Sequence, residues 1–134
     1  MRLVARPGQN SADQRREQSR RRRVAAGTLG DSFPDVQQLR IELSFHDPAG
    51  PAPTGQVHDV YPPASAVFEA ACPHGGCDGV FDLTEVIASL LAQSGPIAQG
   101  VQPCFGSHAG LGPDRESCTL SLRYRITAHY AARS

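Results

Sequence analysis

Four cysteines constrain the fold of this 134-residue chain more than any other feature. Four residues separate Cys72 from Cys77, and thirteen separate Cys104 from Cys118. No apolar stretch typical of a secretory signal follows the first arginine, so we expect a cytoplasmic protein. In a reducing compartment, four cysteines bind a metal more often than they form two disulfides. The cysteines therefore predict a metal site.

Zn²⁺ is the metal that suits four thiolates best. Four thiolates fill its tetrahedral coordination shell and leave no position for water, so Cys72, Cys77, Cys104 and Cys118 predict a structural site rather than a catalytic one. Such binding contributes on the order of 10 kcal/mol to the folding of small domains. Iron, or free or disulfide-linked cysteines, are the alternatives. His74 and His108 lie in the loops that carry the cysteines, and either could replace one as a ligand.

Alternating hydrophobicity predicts several strands. In residues 39–46, Leu39, Ile41, Leu43 and Phe45 share one face, which is typical of a half-buried strand. Residues 118–130 alternate in the same way, with Arg123 and Arg125 on the outer face. Shorter strands are predicted at 56–61 and 66–72. If all four cysteines meet at one metal, the end of 66–72 lies beside the start of 118–130, which predicts that these two strands pair antiparallel.

One helix is predicted after the second cysteine. Asp82 is the expected N-cap, apolar residues recur at helical spacing from Leu83 to about Gln93, and Gly95-Pro96 ends the pattern. The predicted fold class is α+β: a three- to four-stranded, mostly antiparallel sheet with one helix packed on it and the four-cysteine metal site at the sheet end.

The motif that contains the cysteines resembles a known group of proteins. Cys72-Pro73 leads to Cys77-Asp78-Gly79, then to Phe81-Asp82-Leu83 and the helix, and finally to Cys104-Phe105-Gly106 and Cys118. Over residues 66–130 this pattern resembles small uncharacterised bacterial proteins with a four-cysteine, zinc-ribbon-like core. The resemblance implies metal binding only.

The zero net charge conceals a division of the chain. Residues 1–30 hold eight arginines against Asp13 and Glu17, a net charge of +6, and the rest carries −6. We expect a basic N-terminal arm, residues 1–32, ahead of a zinc-stabilised domain, residues 33–134. The arm has few apolar residues, so it is disordered or forms a transient helix from Ala12 to about Ala26, capped by Ser11 and stopped at Gly27.

The arm suggests one of two functions. Its arginines resemble segments that fold in an RNA groove, which predicts RNA or DNA binding through Arg15, Arg16, Arg20, Arg21, Arg22 and Arg23. A solvated tail, or a tether that docks on the acidic body of the same chain, is the alternative. The acidic body repels a polyanion, so the first hypothesis is a protein-interaction or adaptor module. Its surface would be the polar sheet face or the loop from Asp47 to Gly55.

Enzyme and membrane functions find little support in the sequence. It contains no His-Glu-x-x-His, no Gly-x-Ser-x-Gly, no phosphate-binding loop and no Cys-x-x-Cys. Asp78 and Asp82 are explained as a turn residue and a helix cap. No apolar run approaches the length of a membrane-spanning helix. We therefore expect a non-enzymatic protein that does not span a membrane.

Overall fold

The computed structural model describes residues 9–48, 50, 53–109 and 114–131, which form three helices and eight strands. The helices are α1 (Gln9–Ala26), α2 (Leu29–Ser32) and α3 (Thr84–Ala92). The strands are β1 (Val36–His46), β2 (Thr54–Val60), β3 (Glu69–Ala71), β4 (Val80–Asp82), β5 (Ile97–Pro103), β6 (Ser107–Ala109), β7 (Arg115–Ser117) and β8 (Ser121–Tyr130).

A four-stranded antiparallel sheet, ordered β2-β1-β8-β5, organises the fold. Two small antiparallel pairs, β3 with β4 and β6 with β7, accompany it. The mixed α+β class and the mostly antiparallel pairing predicted from the sequence are confirmed. The described residues contain more helices, and more strands outside the main sheet, than we predicted.

The alternation in β1 and β8 places one face of the sheet in the core. Leu39, Ile41, Leu43 and Phe45 of β1 are all buried, and Ile41 lies opposite Ile126 of β8. Because neighbouring residues of a strand point to opposite faces, Arg123 and Arg125 of β8 lie on the outer face and are exposed. The alternation predicted for both strands is confirmed.

A second layer covers this inner face. Helix α3 packs along β5 and buries Ile87, Leu90 and Leu91. Beside it, Phe81 of β4 contacts Phe45 of β1, with ring centroids 5.8 Å apart. The core therefore lies between the four-stranded sheet and a layer made of α3 and the β3–β4 pair.

The start of α3 differs slightly from the prediction. Its N-cap position is Leu83, and Asp82 lies one residue earlier, where its carboxylate accepts a hydrogen bond from the Thr84 N–H at 2.9 Å. The helix ends as predicted near Gly95, whose N–H donates to the Leu90 carbonyl. Asp82 thus stabilises the first turn, but from outside the predicted cap position.

The predicted pairing of residues 66–72 with the last strand is wrong. The first of these strands is limited to β3, Glu69–Ala71, and it pairs with β4 instead of β8. Cys72 and Cys118 nevertheless meet, with their Sγ atoms 3.8 Å apart, although each directly follows the end of a different short strand, β3 for Cys72 and β7 for Cys118. The proximity of two cysteines therefore does not require that their neighbouring strands pair.

The N-terminal segment is helical over Gln9–Ala26, which begins two residues before Ser11. After Gly27, the Thr28 side chain caps α2 and the carboxylate of Asp31 accepts from the Thr28 N–H. Leu29 is completely buried, and its N–H donates to the Ala64 carbonyl at 2.8 Å. Leu29, which lies inside the predicted arm of residues 1–32, is therefore part of the hydrophobic core.

Leu29 provides a test of this boundary. The substitution Leu29→Ala should lower the free energy of unfolding by about 2–5 kcal/mol, since it leaves a cavity at a fully buried site. Val24→Ala is the control, because Val24 lies five residues earlier and is 79% exposed. Urea denaturation of both variants measures the difference. Equal, small losses would show that Leu29 is not part of the core.

Candidate metal centre

The four cysteine sulfur atoms lie together beside the sheet. All four Sγ atoms are within 4.8 Å of one another. Among the described residues, no other group of three or more His, Cys, Asp or Glu side chains is arranged so that it could hold a metal ion. The Sγ atoms of Cys72 and Cys118 are 3.8 Å apart, and those of Cys77 and Cys104 are 3.7 Å apart. Cys72, Cys104 and Cys118 are buried, and Cys77 is half-buried.

These separations fit a tetrahedral metal site. A zinc–sulfur bond of about 2.3 Å gives a tetrahedron whose sulfur atoms are about 3.8 Å apart. A disulfide would instead bring two sulfur atoms to about 2.05 Å, and all four cysteines are free thiols. The predicted convergence of the four cysteines is confirmed, and the set they form could hold a metal ion.

Two similar turns position Cys77 and Cys104. In Cys77-Asp78-Gly79 the glycine N–H donates to the cysteine sulfur at 3.4 Å, and Gly106 donates to Cys104 at the same distance. A thiolate gains stability from such donors, since hydrogen bonds to the charged form favour it. Each Cys-x-Gly turn, or knuckle, therefore presents a sulfur that is already oriented for a cation.

The other two cysteines are fixed by the carbonyls of the same glycines. The Cys72 N–H donates to the Gly79 carbonyl, and the Cys118 N–H donates to the Gly106 carbonyl, both at 3.0 Å. Each knuckle thus holds its own cysteine through sulfur and a second cysteine through the backbone. The four ligands form two equivalent halves, although the order of the cysteines along the chain is reversed between them.

The knuckles pack directly against each other. A Cβ atom added to Gly79 would clash with the Cys104 sulfur, and one added to Gly106 would clash with the Gly79 backbone. The link is completed by Asp78, whose N–H donates to the Ser107 carbonyl and whose carboxylate accepts from the Ser107 N–H at 2.8 Å. Only glycine fits at positions 79 and 106.

Burial and hydrogen bonding shift the pKa values of the thiols in different directions. Burial raises the pKa of Cys72, and it raises the pKa of Cys104 to about 11. Although burial opposes it, the pKa of Cys77 is lowered, because the Gly79 N–H and the neighbouring thiols donate to its sulfur. A bound metal would replace the protons of all four thiols, so metal binding weakens as the pH falls.

His74 and His108 do not belong to the cysteine cluster. Their rings stack on each other, with centroids 3.9 Å apart. Each Nδ1 lies near a backbone carbonyl, that of Gly75 for His74 and that of Ala109 for His108. The geometry therefore favours four cysteine ligands over a set in which a histidine replaces one of them.

The arginines proposed to bind nucleic acid are partly engaged. Arg20 and Arg21 both pair with Glu17, at 2.8 and 3.1 Å. Arg22 pairs with Asp82 at 2.6 Å and approaches Glu69 at 3.6 Å, so it links α1 to the body. Arg16 and Arg23 are exposed, and the side chain of Arg15 lies outside the described residues. The Arg22 contacts correspond to the tether alternative, in which the arm docks on its own acidic body.

The nucleic-acid hypothesis can be tested by the salt dependence of RNA binding. If α1 binds RNA, the affinity should fall steeply with salt because arginines release counterions from phosphates. A chain lacking residues 1–26 should then lose this salt-dependent binding, while Leu29 remains in place. Filter binding to a single-stranded RNA at two salt concentrations measures both effects. Equal binding by the full and shortened chains would contradict the hypothesis.

The comparisons with known proteins find no match for this chain. No family model matches the chain, and neither a curated protein nor a solved structure matches it. The four-cysteine cluster is consistent with a zinc-ribbon-like core. Within the part of the chain that the structure describes, no helix has both the length and the apolar character needed to cross a membrane.

Proposed function

We propose that this chain is a non-enzymatic protein-interaction module whose fold is held by a structural Zn²⁺ ion. The observation that carries the proposal is the cluster of four cysteine sulfur atoms. The Cys77 and Cys104 sulfur atoms are 3.7 Å apart, and the Cys72 and Cys118 sulfur atoms are 3.8 Å apart. Four thiolates complete the shell of zinc, so the metal would have no position for a substrate or an activated water. Its contribution would be to the stability of the domain and to the rigidity of the two knuckles.

The interaction surface that we propose is the free edge of β5. In the order β2-β1-β8-β5, β5 pairs with β8 on one side, and no strand of the described residues pairs with its other side. An edge strand offers unpaired backbone N–H and C=O groups to another chain. Ile97 and Val101 share its outer face and are 45% and 60% exposed. Phe105, two residues beyond the strand, is 93% exposed at the tip of a knuckle.

A groove beside β5 suits an extended partner segment. Its strand side is lined by Ile97 and Ala98, and its helix side is lined by residues of α3 and its C-cap: Glu85, Val86, Ser89, Leu90 and Gln93. Peptides that add a strand to a sheet gain affinity from backbone hydrogen bonds and specificity from alternate side chains. The partner is therefore an extended segment of another protein, with apolar residues at alternate positions.

Selection of displayed linear peptides against the zinc-loaded full chain tests this surface. Peptides that bind should shift the backbone amide NMR signals of β5 and protect them from hydrogen exchange. The variant Val101→Arg should weaken binding at least tenfold. Val57→Arg is the matched control, because Val57 is 54% exposed on β2 at the opposite edge of the sheet. Peptides that shift signals elsewhere, or bind both variants equally, would contradict the proposal.

A further inference from the structure

Strand β2 forms the second open edge of the four-stranded sheet. In the order β2-β1-β8-β5, β2 pairs with β1 on one side, and no strand of the described ranges pairs with its other side. The residues from Thr54 to Asp59 are all exposed, and Val60 is half-buried. Along an edge strand, a row of backbone N–H and C=O groups points away from the sheet without a strand partner. β2 therefore has both backbone groups and side-chain surface that a neighbouring strand could cover.

β2 also lacks the usual features that prevent an edge strand from pairing. Proline, lysine and β-bulges are typical of such protected edges. Residues 54–60 contain no proline, lysine or arginine, and their register with β1 continues without a shift. The one carboxylate, that of Asp59, lies on the outer face opposite Arg40 of β1. Val57, at the centre of the strand, is 54% exposed. The edge is thus regular and open to a further strand.

Strand geometry limits the registers in which two copies of β2 could pair. Alternate residues of β2 direct their N–H and C=O groups away from β1, and in an antiparallel pair such residues lie opposite each other. Because the two strands are identical, the two residue numbers of every opposite pair must both be odd or both be even. A pair centred on Val57 meets this condition. It also aligns the whole strand, with Thr54 opposite Val60 of the second copy.

The side chains are compatible in the register centred on Val57. On the outer face, Val57 lies opposite Val57 of the second copy, and Gly55 lies opposite Asp59. On the inner face, Gln56 lies opposite His58, and within one chain these two side chains already approach to 3.1 Å. No two like charges are opposite each other. Every other allowed centre shortens the overlap, and a centre at Asp59 would bring two carboxylates together, which destabilises a strand pair.

We propose that β2 pairs antiparallel with β2 of a second copy of this chain, centred on Val57, so that the dimer has a continuous eight-stranded sheet. The chain has no formal net charge, so two copies have little overall repulsion to overcome. The other edge is less suited to self-pairing, because Gly100 at the centre of β5 has no side chain to pack and Pro103 has no N–H. The contact area is small, which predicts a weak and reversible dimer.

This dimer would leave β5 free at both ends of its sheet. Two copies of the peptide surface would then act together, a consequence that rests on the proposed function. A partner that carries two suitable segments would gain affinity from binding both of them. The dimer itself is independent of any peptide.

Sedimentation equilibrium of the full zinc-loaded chain at concentrations up to about 1 mM tests the dimer. A reversible monomer–dimer equilibrium is expected, and the amide NMR signals of residues 54–60 should shift as the concentration rises. Val57→Arg should weaken dimerisation about tenfold, because it removes an apolar pair and places like charges opposite each other. Val80→Arg is the matched control, since Val80 is 47% exposed on β4, outside the four-stranded sheet.

A charge exchange tests the register. Val57→Glu alone should also weaken dimerisation, whereas a mixture of the Val57→Arg and Val57→Glu chains should form a heterodimer, because opposite charges then face each other. Zinc content and circular dichroism verify that each variant is folded. A monomer at all concentrations, equal effects of Val57→Arg and Val80→Arg, or a mixture that associates no better than its components would each overturn the proposal. Loss of the dimer in Val101→Arg would assign the contact to β5 and overturn it as well.

Discussion

The substitution Cys118→Ser is expected to unfold the domain. Cys118 is buried, and its sulfur lies 3.8 Å from that of Cys72, so its loss opens the coordination shell of the proposed zinc ion. Structural zinc contributes on the order of 10 kcal/mol in small peptides, and the net stability of a whole domain is only about 5–15 kcal/mol. Most of the folding free energy should therefore disappear with the metal. Circular dichroism and elemental analysis of the purified variant measure the two losses together.

The control for this experiment is the neighbouring residue. Ser117 precedes Cys118 and is exposed at the end of β7, so Ser117→Ala should keep both the metal and the cooperative unfolding transition. Treatment of the original chain with a strong chelator should reproduce the effect of Cys118→Ser without any substitution. A Cys118→Ser variant that retains one zinc per chain and unfolds at nearly the original temperature would contradict the proposed role of the metal.

The substitution Gly79→Ala is expected to cost several kcal/mol although it adds only one methyl group. The new Cβ would meet the Cys104 sulfur and the Gly106 N–H, which both lie against Gly79. Either the two knuckles separate, which spoils the tetrahedral arrangement, or the Cys104 sulfur moves away from the metal. In both cases the zinc affinity should fall by at least a hundredfold, as measured by competition with a coloured chelator.

The chain offers a close control for Gly79→Ala. Gly75 lies in the loop between Cys72 and Cys77, and a Cβ at this position would meet nothing within 4 Å. Its φ angle is also not in the left-handed region, unlike that of Gly76, at 76°. Gly75→Ala should therefore leave zinc affinity and stability almost unchanged. Equal affinities in the two variants would mean that the contact between the knuckles does not support the site.

The parts of the fold that could be predicted from the sequence are those with a clear periodicity. The alternating residues of β1 and β8 have one buried and one exposed face, and the apolar residues of α3 recur at helical spacing. The convergence of Cys72, Cys77, Cys104 and Cys118 was predicted from the residue type and from the expected reducing compartment.

The parts that were missed have physical reasons. Strand β5 contains Gly100 and ends at Pro103, and both residue types are unfavourable in strands. The glycine is required there, because a Cβ at position 100 would clash with the Tyr124 ring. The β6–β7 pair has only three residues in each strand, too few for a periodic pattern. Pairing of β3 with β4 depends on contacts between distant residues, which the position of Cys72 does not reveal.

Docking of the arm on the acidic body was one of the alternatives that the sequence left open, but the residues that make the contact could not be predicted. The arginine run predicted either a nucleic-acid contact or a tail or tether, and in the structure Arg22 reaches Asp82, 60 residues later in the chain. Although burial opposes it, the pKa of Asp82 is lowered, because the Thr84 hydroxyl and N–H donate to its carboxylate and the Arg22 guanidinium pairs with it. One carboxylate thus joins α1 to the start of α3. A charge count cannot identify which of several similar arginines makes such a contact.

The metal content of the protein, purified without a tag or a reducing agent, tests the central claim most directly. Elemental analysis should give one zinc per chain, and a thiol assay should find the four cysteines unreactive until a chelator is added and fully reactive afterwards. The circular dichroism signal of the folded domain should be lost at the same step. No metal, with fewer than four thiols in denaturant, would mean that the cysteines form disulfides and would contradict the structural zinc site.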